Sequence, residues 1–418
     1  MNKNRISMGM FLLLLLSFLG SCSKNIEPLN QPLQDNQAVQ NNQPVMAARS
    51  LAVLDTVLAT VSVFAPDIVY PRGLKFGPDG YLYVATAGIG GTNSTEGQCD
   101  QVIPPVGPYT GGKNAKILKI SPSGEVSTVA ENLPSTLSPE GVTMGVSDVE
   151  FVGNTLYALL VAGCSHGSSE FPSSVIKVNR HDGSWSVIAD LSSYLQNNKV
   201  AAPEEDDFEP DGTPYSMVNV RGDLYVIEPN HGEMIKVTTD GKASRVIDFS
   251  AHYGHIVPTV VAYNGNFFVG NLRTFPLVGG SSSIYKLTPH GEVSVWATGF
   301  TGILGVAFDR EHRLYVLEMS AGGGPTPMTG RVVRINKDDT RDIVVDKLML
   351  PTGMTFGDDG ALYISNGGFG PPNGGILKVV IQDNDEDHDH HHHNGHDRDR
   401  DRDHDRDRHY DNDHQHHN

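Results

Sequence analysis

The chain has 418 residues, enough for one large all-β domain or for two to three domains of ordinary size. Its 45 glycines and 25 prolines, with only 19% charged residues, favour many short strands joined by turns over long helices. The net charge of −18, without clustered Lys and Arg outside an Asp-dominated tail, argues against a nucleic-acid binder.

Residues 1–21 have the pattern of a secretory signal peptide. Lys3 and Arg5 precede an apolar run, Met10 to Leu19, that is too short for a retained membrane-spanning helix. The following "LGSC" resembles a bacterial lipobox, in which the cysteine, here Cys22, becomes the lipidated first residue of the mature chain. Ordinary cleavage near Ser21, with Cys22 as a bystander, is the alternative. We expect an extracytoplasmic, membrane-anchored lipoprotein.

The residues after Cys22 indicate which membrane holds the protein and predict a tether. Ser23 is not the Asp that commonly retains lipoproteins at the inner membrane, so we favour the outer membrane. Residues 22–50, the lipidated cysteine and the segment that follows it, are rich in Asn, Gln, Pro and Ser and poor in apolar residues. This composition predicts a flexible tether between the anchor and a folded domain.

A hairpin motif then recurs six times between Leu54 and about Ile381. Each copy has an apolar strand, a Gly/Asp/Asn turn and a second strand centred on an aromatic residue, as in "GLKFGPDGYLYVATAG" from Gly73. The six marker aromatics are Tyr83, Tyr157, Tyr225, Phe268, Tyr315 and Tyr363. The first five copies are each followed by a second hairpin, such as "AKILKISPSGEVSTVAENL" from Ala115, so a full unit has four strands.

The sixth unit lacks its fourth strand, and an unassigned strand, "DTVLATVSVFAPDIVYP" from Asp55, precedes the first copy. The two are complementary, because pairing the first strand with the last unit closes a ring and removes an unpaired edge. We therefore predict an all-β fold over residues 51–382: a six-bladed β-propeller of four-stranded blades whose last blade is closed by the N-terminal strand. A β-solenoid or two stacked sandwiches would not explain this complementarity.

The residue three positions after each marker aromatic is predicted to face the central channel. These residues are Thr86, Leu160, Glu228, Asn271, Glu318 and Asn366, and Arg72 and His231 are expected to border the same opening. Carboxylate and amide oxygens suit Ca²⁺, so the ring is a candidate metal or ligand site. The alternative is that these polar side chains only contact channel water.

Cys99 and Cys164 are the two cysteines left after the lipobox. In an exported chain they favour a disulfide, since both lie in loops between strands two and three of adjacent blades. Two separate buried thiols are the alternative. A bridge would pin the long loop from Gly88 to Asn114.

Residues 383–418 contain 11 His and 12 Asp and too few apolar residues for a core, so we expect a disordered tail. His390, His391, His392 and His393 are candidate ligands for Zn²⁺ or Ni²⁺. A role in solubility alone is the alternative.

The phrases "YPRGLKFGPDGYLYVATAG" and "KILKISPSGEVSTVAENLP", with the Cys-containing loop and "GPYTGG" between them, resemble the ScyD/ScyE family of NHL-like propellers. The resemblance covers roughly Val61 to Val380. It implies an exported propeller and supplies no catalytic residues.

We favour a binding or scaffold module for a protein or small-molecule ligand on the propeller face over an enzyme. The alternative is a metal-dependent lactonase-like hydrolase. Glu228, Asn271 and Glu318 are superficially similar to the Glu, Asn and Asp set that gluconolactonase and regucalcin place around a divalent cation. No Gly-x-Ser-x-Gly, His-Glu-x-x-His or phosphate-loop motif occurs in the repeats.

Overall fold

A computed structural model describes residues 54–203 and 209–382. The predicted signal peptide, Cys22, the tether and the tail with His390 to His393 lie outside these residues. None of the helices within the described ranges has the length and apolar character needed to cross a membrane.

Six antiparallel sheets form the blades of a six-bladed β-propeller, which confirms the predicted all-β fold class. Blade 1 contains β3 (Pro71–Phe76), β4 (Leu82–Thr86), β5 (Thr110–Ile120) and β6 (Val126–Leu137). Blade 2 contains β8 (Val146–Val152), β9 (Thr155–Leu160), β10 (Ser174–Val178) and β11 (Trp185–Asp190). Blade 3 contains β12 (Ser216–Val220), β13 (Asp223–Glu228), β14 (Glu233–Val237) and β15 (Ala243–Asp248).

The remaining three blades follow the same plan. Blade 4 contains β16 (Pro258–Tyr263), β17 (Phe267–Asn271), β18 (Ser282–Leu287) and β19 (Val293–Phe300). Blade 5 contains β20 (Ile303–Phe308), β21 (Leu314–Glu318), β22 (Gly330–Ile335) and β23 (Arg341–Leu348). Blade 6 contains β24 (Gly353–Phe356), β25 (Leu362–Asn366), β26 (Gly374–Ile381) and β2 (Ala59–Ile68).

Blade 6 is completed by the N-terminal strand. Its sheet order is β2-β26-β25-β24, and β2 pairs antiparallel with β26 from Ala59 opposite Ile381 to Ile68 opposite Gly374. The first strand of the ring thus covers the edge of the last unit, so no blade is left with three strands.

Two short strands and a few helical turns were not expected from the repeats. β1 (Leu54–Thr56) adds in parallel to the outer edge of blade 5, and β7 (Thr143–Met144) adds to β6 of blade 1. The helices α1 (Leu191–Asn197) and α2 (Ser250–Tyr253) lie in the connections that lead into blades 3 and 4.

The marker aromatics pack between neighbouring blades. Tyr83 of blade 1 meets Phe151 of blade 2 edge-on, with ring centroids 5.0 Å apart, and Tyr363 of blade 6 meets Phe76 of blade 1 at the same distance. Blades 4, 5 and 6 repeat the contact through Phe268 with Phe308 and Tyr315 with Phe356. In blades 1, 4, 5 and 6 the aromatic of the second strand therefore packs against an aromatic at the end of the first strand of the next blade, which links these blades around the ring.

The two ends of the propeller differ. We call the end where the inner strands begin the loop face; it carries the long connections, including the Cys99 and Cys164 loops. We call the opposite end the turn face; it carries the short turns of the hairpins, such as residues 77–81.

Candidate functional site

The inner strands of all six blades line a central cavity of ≈ 650 Å³. Ligand pockets in proteins are commonly about 300–1,000 Å³ in volume. The cavity reaches the turn face, where the exposed residues Pro78, Gly153 and Asp358 border it. This opening makes the cavity accessible from one end of the molecule.

The loop-face end of the cavity is filled by side chains. Tyr215 and Leu304 line the cavity and belong to an apolar cluster with Leu277, Met319 and Leu350. The Tyr215 hydroxyl donates a 2.9 Å hydrogen bond to the Thr352 carbonyl, which joins the starts of two inner strands. The cavity is therefore a pocket that enters from the turn face, with its floor near the loop face.

The side walls come from two repeat positions. The residues that pair with the marker aromatics across the first hairpin form the channel ring: Lys75, Glu150, Val218, Ala262, Ala307 and Thr355. All six line the cavity, and so do the residues two positions earlier: Gly73, Asp148, Ser216, Val260, Gly305 and Gly353. Charged side chains at these positions occur in blades 1 and 2, and blades 4 and 5 contribute small or apolar ones.

Three ionisable groups meet on the wall formed by blades 1 and 2. Lys75 Nζ lies 2.9 Å from Glu150 Oε2. Glu150 also accepts hydrogen bonds from the backbone N–H groups of Phe151 and Asn219. Asp148 accepts bonds of 2.8 Å from the N–H groups of Val149 and Met217. The two carboxylates thus accept hydrogen bonds from backbone N–H groups of the inner strand of blade 3 and of their own strand.

Burial controls the charge of Asp148. The carboxyl is held among the inner strands, and this loss of hydration raises its pKa to about 7, although the Met217 and Val149 N–H donors and Lys75 act in the opposite direction. Space for this side chain depends on Gly73, because a Cβ at that position would lie 1.9 Å from Asp148 Oδ1.

Lys75 keeps its proton. Burial acts to lower its pKa, but the Glu150 carboxylate outweighs this effect and the pKa of Lys75 lies above its ordinary value. A protonated amine is not a nucleophile, so Lys75 acts as a fixed hydrogen-bond donor and positive charge.

Four of the six residues predicted to ring the channel, Glu228, Asn271, Glu318 and Asn366, hydrogen-bond to the loops of the loop face. Glu228 accepts bonds from the N–H groups of Thr213 and His231, Glu318 from that of Thr301, and Asn366 from that of Met349. Asn271 donates to the Ile256 carbonyl, and Thr86 bonds to the backbone of Lys116. In blades 3 to 6 the side chain at the end of the second strand therefore hydrogen-bonds to the segment that precedes the first strand of the same blade.

The charges of these loop-holding carboxylates are compensated. His231 Nδ1 lies 2.9 Å from Glu228 Oε2; burial acts to raise the pKa of Glu228, but His231 and the N–H donors outweigh it and the pKa is lowered. Arg331 contacts Glu318, whose pKa burial nevertheless raises. Leu160 is buried in the core between blades 1 and 2.

Arg72 closes the loop face where the ring is completed. Its guanidinium donates to the carbonyls of Gly368 and Thr143 and lies over the Phe369 ring, 4.3 Å from the centroid. Burial lowers its pKa to about 10. Arg72 is thus beside the floor of the cavity and joins the connections of blades 6 and 1.

The Cys-containing loops form a second buried polar region on the loop face. A disulfide joins Cys99 and Cys164, and His166, two residues later, stacks on Tyr109 with ring centroids 5.0 Å apart. Burial lowers the pKa of His166, and its Nε2 lies 3.1 Å from the Gly212 carbonyl, which indicates a neutral ring protonated at Nε2.

The oxygens predicted to hold a divalent cation already accept hydrogen bonds in this structure. The oxygens of Glu228, Glu318 and Asn366 are committed to backbone N–H groups. Among residues 54–203 and 209–382, no group of three or more His, Cys, Asp or Glu side chains is arranged to hold a metal ion.

The charged residues of the cavity wall were not identified from the sequence, although a signal for them exists. In the aligned copies, Lys75 and Glu150 come immediately before Phe76 and Phe151, where later copies have Val, Ala or Thr. Asp148 and Glu150 are charges two residues apart in a strand buried on both faces, a costly arrangement that indicates a specific environment.

No protein-family model matches the chain, and no curated protein matches it. Solved structures do share its fold. A protein of unknown function from Bacteroides thetaiotaomicron is 12% identical with a TM-score of 0.51, and the match covers 78% of this chain and 76% of that one. Regucalcin from Agrobacterium tumefaciens, a calcium-binding protein, is 14% identical with a TM-score of 0.49, covering 79% and 96%. A gluconolactonase from Xanthomonas campestris is 11% identical with a TM-score of 0.48, covering 80% and 97%. These likenesses concern the propeller fold alone.

Proposed function

We propose that this protein is an exported, lipid-anchored propeller of the ScyD/ScyE type that acts as a binding module, with the central cavity as its ligand site. The observation that carries the proposal is a ligand-sized cavity, open at the turn face, whose wall combines apolar side chains with a few placed charged and polar groups. Small ligands are commonly held in pockets of this composition.

A substitution that fills the cavity tests this proposal. Ala307 is in the channel ring, so Ala307→Phe places a ring in the open space, whereas Ala251→Phe places the same ring on an exposed helix. Small molecules that co-purify with the protein from envelope extracts are identified by mass spectrometry. We expect Ala307→Phe to lose the bound compound and Ala251→Phe to keep it. Equal recovery from both variants would contradict binding in the cavity.

The proposed anchor rests on the lipobox-like segment that ends at Cys22. Several acyl chains on one residue give stable membrane attachment, whereas a single chain is marginal. We expect the wild-type protein in the membrane fraction, with the outer membrane favoured. We expect Cys22→Ser to move the protein to the soluble fraction. Membrane retention of the variant would contradict lipidation at this residue.

The second candidate is a metal-dependent lactonase-like hydrolase. What supports it is a carboxylate or amide at the end of the second strand in four successive blades: Glu228, Asn271, Glu318 and Asn366. Their bonds to loop backbone oppose it, because a cation would have to replace them.

Calcium-dependent hydrolysis of a sugar lactone separates the two candidates. The enzyme hypothesis requires turnover that Glu228→Gln or Glu318→Gln abolishes and that the exposed-site variant Glu292→Gln retains. The binding module predicts no calcium-dependent turnover by any of these proteins.

A further inference from the structure

We propose that the cavity selects amphiphilic ligands that carry an anionic group, with Lys75 holding that group and the walls of blades 4 and 5 holding the apolar part. This inference rests on the proposed binding function and names the chemical class of the ligand.

The cavity has a polar side and an apolar side. Lys75, Asp148 and Glu150 lie on the wall of blades 1 and 2. The opposite wall contains Val260, Ala262, Val306 and Phe308 of blades 4 and 5. Blade 6 adds Met354 and Phe356 and, at the mouth, the exposed Asp358. A ligand that covers both walls must itself have one polar end and an apolar body, since burying a polar group against the apolar wall is unfavourable.

Lys75 is the accessible charge. Its side chain is 40% exposed, whereas that of Glu150 is 4% exposed. An ammonium has three N–H donors, and the bond to Glu150 uses one of them. Lys75 is also the only Lys, Arg or His among the described residues that line the cavity. Remaining donors are therefore available to a carboxylate or similar anion entering from the turn face.

The carboxylates are less suited to bind a cationic ligand. Asp148 and Glu150 are both buried, and their oxygens accept bonds from four backbone N–H groups and from Lys75. An amine would have to approach these oxygens beside the positive charge of Lys75, which repels it.

Asp148 adds a pH dependence to anion binding. The charged and titratable groups that act on it are Lys75, Glu150 and the Tyr215 hydroxyl. With its pKa raised to about 7 by burial, Asp148 loses its negative charge as the pH falls below neutrality. Repulsion of a bound anion then decreases, so affinity for the anion should increase from about pH 8 to about pH 6.

The test compares octanoate, octanol and octylamine, which share one chain and differ in charge, by isothermal titration calorimetry on the full folded protein. A charge-assisted hydrogen bond predicts that octanoate binds at least about tenfold more tightly than octanol, with octylamine weakest. Lys75→Met should reduce the affinity for octanoate to that for octanol. Lys177→Met, which removes an exposed lysine outside the cavity, should change none of the three.

Lys75→Met leaves Glu150 without its cation, so the double variant Lys75→Met/Glu150→Gln is measured as well, and it should show the same loss for octanoate alone. Equal binding of the three probes, or tightest binding of octylamine, would overturn the anion preference while leaving the cavity as the ligand site. Binding that persists in Ala307→Phe, or no binding of any probe, would overturn both proposals.

Discussion

Asp148 and Glu150 show how two carboxylates are accommodated at the inner edge of a propeller. An inner strand has no neighbour on its channel side, so N–H groups there need other partners. Asp148 and Glu150 of blade 2 accept from Met217 and Asn219 of blade 3, two alternate residues along that strand. The Ser216 hydroxyl likewise accepts from the Val261 N–H of blade 4, whereas the hydroxyls of Thr259 and Ser365 donate to the carbonyls of Ile303 and Arg72 in the next blades. Side chains therefore replace the missing strand partner.

Asp148→Asn tests the cost of this arrangement. The pKa of Asp148 is raised from 3.8 to about 7 in the folded protein, so between these values the folded state holds a proton that the unfolded state has released. The free energy of unfolding of the wild type therefore falls as the pH rises through this window, by about 1.4 kcal/mol per pH unit from this group. Asn does not titrate, so the variant lacks this contribution.

Urea unfolding of both proteins between about pH 5 and about pH 8 provides the measurement. The stability of Asp148→Asn relative to the wild type should rise steadily up to about pH 7 and then become constant. The exposed Asp346→Asn variant should follow the wild type throughout. A difference that does not change with pH would show that Asp148 is ionised in the folded protein.

The sequence predicted the loop cysteines and the repeat positions better than it predicted the cavity wall. The spacing of the repeats correctly identified the polar residues at the ends of the second strands. The hydrogen-bond partners of these side chains lie in the connections between blades, which differ in every blade. Glu228, for example, accepts the Thr213 N–H, and nothing local to Glu228 predicts where Thr213 lies. The pairing of Lys75 with Glu150 needs the neighbouring blade, 75 residues away in the chain.

At the level of the strands, the hairpin pattern determines how the blades pack. In every blade the marker aromatic pairs with a Lys or Arg of the third strand, as Tyr83 does with Lys119 and Tyr363 with Lys378. In blades 1 and 6 the Gly-x-Asp-Gly turn adds an acceptor, since the hydroxyls of Tyr83 and Tyr363 bond at 2.9 Å to Asp79 and Asp359. The repeat could be recognised from sequence because these residues are fixed by short-range pairing.

Phe151→Ala tests the contact between blades. Phe151 packs edge-on against Tyr83 and is buried in the core shared by blades 1 and 2. Removing its ring should lower the free energy of unfolding by about 3–5 kcal/mol, since burial is lost and a cavity remains. Phe275 is 57% exposed, so Phe275→Ala should change stability little. Similar small losses in both variants, measured by urea unfolding, would contradict a structural role for the aromatic contacts.

The disulfide acts between two loops of neighbouring blades. It joins cysteines 65 residues apart, and the Thr95 hydroxyl and the Asn93 side chain also bond to the second loop, at the carbonyls of Cys164 and Gly167. Replacing both cysteines by serine should lower the free energy of unfolding by about 4 kcal/mol, from the chain entropy of a loop of this length. Urea unfolding with and without reductant checks it: reductant should destabilise the wild type and leave the double variant unchanged.

At the scale of the whole molecule, closure of the ring is the property that the sequence predicted most directly. The sixth repeat lacks a fourth strand, and one unassigned strand precedes the first repeat. In the structure that strand, β2, is the fourth strand of blade 6. The additions β1 and β7 could not be predicted, because each is only two or three residues long and pairs at a blade edge without a repeat pattern.

The turn face carries both the cavity mouth and the two ends of the described propeller. Ala59 pairs with Ile381 at the turn-face end of blade 6, and Leu54 pairs with Arg341 at the same end of blade 5. The first and last residues of the described propeller therefore both lie at the end where the cavity opens.

Removal of β2 tests whether closure stabilises the whole ring. Ala65 and Ile68 of β2 are buried with Leu74 and Ile376, so their loss exposes core from both blade 1 and blade 6 and leaves β26 as an open edge. A chain that begins at residue 71 should unfold at a much lower urea concentration than the full chain, by at least about 3 kcal/mol. A chain that begins at residue 57, which lacks β1 but keeps β2, and a chain that ends at residue 382 should both stay close to the full chain. Adding a peptide of residues 57–70 to the shortened protein should restore part of the loss, because the peptide can pair with β26. An unchanged unfolding midpoint without β2 would mean that the five remaining blades and a three-stranded sixth are stable without closure.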